Sequence, residues 1–151
     1  VISEEVLIER TTASMTKYFV DNKGPYPLYI EGDDIDMAAL PEWAELRITG
    51  PRIKKENKIW FVFVDVNIMC SVRDSTNIYR SQKMAGYFAS KMNVVPVTQP
   101  GPSFPLIACL TLRQDVDHQL ELVQWGRLNP TEEISVMATS IEAFYKMEIS
   151  A

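Results

Sequence analysis

The segment RQDVDHQ holds the chain's single histidine, His118, beside Asp115 and Asp117. An imidazole next to carboxylates has the parts of a general base or a metal ligand. Either role needs companions, and no second cluster of ligands is visible in the sequence. The segment reads as a solvated hairpin tip between two strands. Asp33, Asp34 and Asp36 offer oxygen donors of the kind a hard cation takes, but their spacing misses the calcium-loop pattern. They read as a solvated acidic loop.

Two cysteines, Cys70 and Cys109, would allow a disulfide or a redox pair. Each sits in an apolar, strand-like run, so both read as buried small hydrophobes in a reducing compartment. Zinc spacing is absent. No Gly-rich loop joins a strand to a helix, no Gly-Lys-Ser or Gly-Lys-Thr occurs, and the six glycines are scattered singly. The expectation is therefore no catalytic residue, no cofactor and no metal. Arg52, Lys54, Lys55 and Lys58 form the one concentration of positive charge. With Trp60 and Phe61 nearby they have the makings of a single-strand nucleic-acid surface. They better suit a charged hairpin tip whose lysines guard against edge pairing, with docking on an acidic protein as the intermediate case.

The bulk numbers frame these choices. A chain of 151 residues, 46% hydrophobic and 23% charged, predicts one globular domain. A net charge of −5 argues against gripping nucleic acid by its phosphates, though not against a wall that DNA slides past. No apolar run approaches the ~20 residues of a membrane span. The opening VISEEVLIER carries acids early and does not read as a signal peptide.

The elements that would position any surface can be read from periodicity. Ser3, then Glu4 and Glu5, predicts a helix start. Ile8, Met15 and Phe19, with Thr12 between, mark its buried face, and the helix should stop near Asp21 to Gly24. A short extended piece, YPLYIEG, precedes the acidic loop. Ala44, Leu46 and Ile48 alternate with Glu45, Arg47 and Thr49, until Gly50-Pro51 interrupts and KKENK breaks the pattern. NKIWFVFVDVNIMCSV then alternates over residues 57–72, which at roughly 3.3 Å per residue spans about 50 Å, against ~17–20 Å for an ordinary strand. The two strands predict a long hairpin.

Asp74-Ser75 offers a cap for a second helix, with Ile78, Gln82, Ala85, Ala89 and Met92 on its inner face and Tyr79, Gly86 and Phe88 flanking it. Extended runs VVPV, LIACLTL and LELVQWGR follow, then a turn at Asn129-Pro130-Thr131 and a last strand from about Ile134 to Ile149. In that strand the apolar face flips near Thr139-Ser140. The flip predicts a bulge, or different partners at the two ends. Strands that follow one another without crossover helices predict an α+β fold: an antiparallel sheet with a long β-hairpin and two main helices on one face.

Phe61 and Phe63 lie opposite an already apolar face, Trp125 shares a face with Val123, and Phe144 and Tyr145 point to opposite sides. Such a face is either covered by loops folded over it or, as contiguous apolar groups left half exposed suggest, a contact between subunits. Lys54, Lys55, Phe61, Phe63, Trp125 and Tyr145 are the expected interface with another subunit or a partner.

The order of elements, the helix DSTNIYRSQKMAGYFASKM, the proline-bearing loop and the closing QWGRLNPTEEISVMATSIEAFYKMEI resemble the small tail terminator and neck proteins of long-tailed bacteriophages. The closest local likeness is Gln124 and Gly126, Asn129-Pro130, then Ile141-Glu142-Ala143 and Tyr145-Lys146-Met147. The resemblance implies a non-catalytic virion protein, assembled in the host cytoplasm into a six-fold ring on the tail tube. Such a ring ends tube growth and joins the tail to the head. Its implied partners are its own copies, the tail tube protein and a head-completion or connector protein, with DNA passing unbound through the lumen and no membrane. A stopper ring, a tube subunit, a monomeric ligand-binding module, and a hydrolase using Asp115, Asp117 and His118 are the alternatives.

Overall fold

The computed structural model describes residues 3–31, 40–73, 78–92, 94–98, 106–111, 121–129 and 132–148. Along these run α1 (Glu4–Asp21), β1 (Leu28–Ile30), β2 (Glu42–Glu56), β3 (Ile59–Val72), α2 (Ile78–Ser90), β4 (Val94–Thr98), β5 (Leu106–Thr111), β6 (Glu121–Asn129) and β7 (Glu132–Glu148). The fold is α+β. Its strands form one sheet in the order β1-β2-β3-β7-β5-β4, with β6 also paired to β7. Every pairing is antiparallel except that of β1 with β2, so the sheet is mixed at that edge.

Helix α1 begins as expected. The Ser3 hydroxyl accepts a bond from the Val6 N–H at 3.3 Å, and Glu4 and Glu5 occupy the first turn. It ends at Asn22, and Gly24 takes a φ of +61°, in the left-handed region that favours glycine. Its buried stripe is Leu7, Thr11, Met15 and Phe19, with Ser14 beside it. Ile8, expected inside, is 40% exposed. Thr11 is tolerated in the stripe because its hydroxyl donates to the Leu7 carbonyl at 2.7 Å.

Helix α2 buries Ser81, Met84, Ala85 and Phe88, and Met92 just beyond its end is buried with them. The expected face is thus rotated by one residue. The large Met84 and Phe88 go inward and Gln82 outward, which removes more apolar area from water. The expected cap at Asp74-Ser75 lies outside the described residues. Both helices pack on the same side of the sheet, against Val62, Val64, Val66, Ile68 and Cys70 of β3 and against Met137, Ile141, Ala143 and Tyr145 of β7.

The hairpin is longer than the sequence implied. β2 runs through Gly50-Pro51, joined by a cis peptide bond, and through the lysines to Glu56. A register shift between Thr49 and Arg52 absorbs the interruption. Before the shift Ile48 pairs with Val66, and after it Ile53 pairs with Val62. Five residues separate the two isoleucines in sequence, so a regular strand would put them on opposite faces. The bulge returns Ile53 to the helix side. The turn is only Asn57-Lys58, since Glu56 pairs with Ile59, and Asn57 adopts a φ of 53° that asparagine tolerates.

β7 pairs with β3 without interruption from Glu148 and Ile59 to Ser135 and Val72. Its other edge meets β5 at Phe144 and β6 between Glu132 and Ser140. The flip of its apolar face therefore reflects different partners at its two ends, not a break in the β3 pairing. Val136, with Trp43, forms a small second cluster against Tyr29, Leu40 and Met69. At the far edge, α1 covers β4: the Arg10 guanidinium donates to the Thr98 carbonyl at 2.8 Å, and the Thr98 N–H to the Ser14 hydroxyl at 3.3 Å.

The cysteine expectation holds for one residue. Cys70 is buried in the core, whereas Cys109 is exposed and free. Cys109 pairs with the exposed Pro96, while the neighbouring Val95 and Val97 turn into the core.

Candidate interaction surface

β2, β3 and β7 lie side by side, and cross-strand partners point to the same side of a sheet. The even-numbered residues of β3 enter the core under the helices, so the odd-numbered ones face the other way. From the tip inward, that helix-free face carries the rows Lys54–Phe61–Lys146, Arg52–Phe63–Phe144, Thr49–Asp65–Glu142 and Arg47–Asn67–Ser140. Phe61, Phe63 and Phe144 are partly exposed. Phe63 and Phe144 stack with ring centroids 6.2 Å apart and planes 26° apart. Aromatic rings flanked by cations thus occupy the outer half of a three-stranded finger.

The next rows are polar. Arg52 reaches back to bridge Asp65 at 2.5 Å and Glu142 at 2.8 Å. The hydrogen bond to Asp65, foremost, raises the guanidinium pKa further above its already high value. Thr49, Asp65, Asn67, Ser140 and Glu142 line a groove of about 360 Å³ beside this bridge. Asn67 Oδ1 is buried there without a hydrogen-bond partner among the described residues.

The six residues expected at an interface are divided by this arrangement. Lys54, Phe61 and Phe63 come together on the helix-free face. Lys55 lies on the opposite side: its ammonium sits 4.8 Å from the Trp60 ring centroid and pairs with Glu4 of α1. Tyr145 is a core residue at 4% exposure, because odd-numbered β7 residues point under the helices. Its hydroxyl lies 2.8 Å from that of Thr11. The Thr11 proton is engaged by Leu7, so Tyr145 donates. Burial pushes the phenol pKa up. Trp125 falls at the irregularity between Gln124 and Gly126 in β6, and its side chain lies outside the described ones.

Phe144, Lys146 and Arg52 complete the surface and were not among the expected six. Alternation along β7 already separates Phe144 from Tyr145. What sequence lacks is which of the two faces the helices take. His118, Asp115, Asp117, Asp33, Asp34 and Asp36 lie outside the described residues. The basic concentration is largely neutralised, by Asp65 and Glu142 on Arg52, Glu56 on Lys54 and Glu4 on Lys55.

No protein-family model matches the sequence, and no curated protein does. Eight solved chains match in structure. One superposes with a TM-score of 0.51 over 95% of this chain and 97% of its own length, at 8% sequence identity. At that identity the likeness is one of fold. Among the described residues no helix is long and apolar enough to cross a membrane.

Proposed function

We propose that the protein is a ring-forming structural subunit of a bacteriophage tail, a terminator or neck protein that caps the tail tube and joins it to the head. The observation that carries this reading is the three-stranded finger. β2, β3 and β7 run together past the bulge to Glu56, Ile59 and Glu148, with cation-flanked phenylalanines on the face away from both helices. A small chain gains nothing for its own core from aromatics placed there. A neighbouring subunit laid against them would bury them. The net charge of −5 suits a lumen through which DNA slides. In this role the protein is not an enzyme. Its mechanism is geometric: one end of the ring matches the last ring of the tube, and the other does not admit another tube subunit.

The test is native mass spectrometry and negative-stain imaging across concentration and Mg²⁺, with purified tail tubes added as template. Closed rings, free or seated on tube ends, are the expected result. A chain that stays monomeric throughout and leaves tube ends bare contradicts the reading.

A further inference from the structure

We infer that subunits join front to back through the finger, the first turns of α1 in one copy docking on the aromatic face of the next. This rests on the ring reading above and names the surface it would use.

The finger carries two different patches on its two sides. On the helix-free side, Phe61 is flanked in register by Lys54 and Lys146. Both lysines are exposed; Lys54 pairs with Glu56, and Lys146 has no ion-pair partner among the described residues. On the other side, the start of α1 lies over the same strands, tied there by the pair between Glu4 and Lys55, next to Trp60. Its outward surface carries the complementary chemistry. Ile8 is 40% exposed, one of few large hydrophobics left so among the described residues. Glu5 precedes it by one turn on the same face of the helix, while Glu4 is turned to Lys55. Glu5 is exposed and unpaired among the described residues.

One patch is thus an apolar residue edged by Glu5, the other aromatics edged by Lys146. They sit back to back across one sheet. A self-complementary two-fold contact would need both chemistries on one surface. Two unlike patches on opposite sides define a heterologous contact, which repeats in one direction until rotation closes it.

Single-cysteine pairs test this in a Cys109→Ser background, which leaves only the buried Cys70. Glu5→Cys and Lys54→Cys are both exposed positions, so neither threatens folding. Chains carrying one each are mixed and treated with a short thiol cross-linker. The expected product is a one-to-one mixed dimer, and a chain carrying both should give a ladder of higher species. Reversing Lys54 and Lys146 to glutamate should raise the midpoint concentration of association about tenfold or more, and Glu5→Lys should restore part of that loss. Rings without the mixed cross-link overturn this docking surface and leave the ring reading standing. The absence of both rings and cross-links overturns both.

Discussion

Tyr145 and Phe144 are neighbours in sequence with opposite fates, and single substitutions can tell them apart. Tyr145→Phe removes one buried hydrogen bond and should cost about 1 kcal/mol of stability in chemical denaturation, with assembly unchanged. Phe61→Asp with Phe63→Asp should do the reverse, abolishing assembly while the monomer stays folded. If the double variant alters neither assembly nor monomer stability, the helix-free face has no role in assembly. The thiols differ as sharply. Burial pushes the Cys70 thiol up to about 12, so at pH 8 it stays protonated and shielded, whereas Cys109 is open to reagent. One thiol per chain should react in the native protein and two after denaturation. Because the unfolded thiol ionises near its ordinary ~8.5, burial of Cys70 also favours the folded state less as pH rises above that value. Gly50 is constrained by its backbone. Its φ is +103°, and an added Cβ would lie 3.2 Å from both the Arg52 nitrogen and the Phe63 carbonyl oxygen. Gly50→Ala should therefore destabilise by about 1–3 kcal/mol.

Among the elements, the contact between α2 and the start of β2 is the one most sensitive to pH. Arg80 donates two bonds to the Glu42 carboxylate, at 2.6 and 2.5 Å, with its guanidinium 5.4 Å from the Tyr26 ring centroid. The Arg80 hydrogen bond holds the Glu42 carboxyl below its ordinary value. The stabilisation is thus present above the unfolded carboxylate pKa of about 4.3 and lost as pH falls through the lower folded value. Glu42→Gln should be less stable than the native chain at pH 7, with the gap narrowing as pH falls below the unfolded carboxylate value, as read by denaturant midpoints. Element existence is legible in the sequence where the signal is local: the Ser3 cap and the alternation over β3. Helix faces were legible only to within one residue. Ile8 against Leu7, and Gln82 against Met84, depend on where the sheet sits, which no periodicity along the helix encodes. In the sequence β2 looks broken at Gly50-Pro51, because a bulge shows there as a lost alternation. Its continuation becomes visible only when Ile53 is set beside Val62.

At the scale of the whole molecule, the candidate surface was legible in part. Phe61 and Phe63 were recognisable as apolar residues on a second face. Phe144 and Lys146 join them only through the register of β7 with β3, a pairing between segments some eighty residues apart. A residue's membership of a surface is then a property of strand order, which sequence alone does not give. The long pairing has a further consequence for β3. Both of its edges are paired from end to end, to β7 without a break and to β2 with one irregularity at the bulge opposite Val64. No part of β3 can open unless one of those neighbours peels away, so local fraying at the tip cannot reach it alone. Its amide protons should exchange with solvent last in the chain, at the rate of global unfolding. The finger would then behave as a stiff lever, passing a push at its tip to the helices instead of bending.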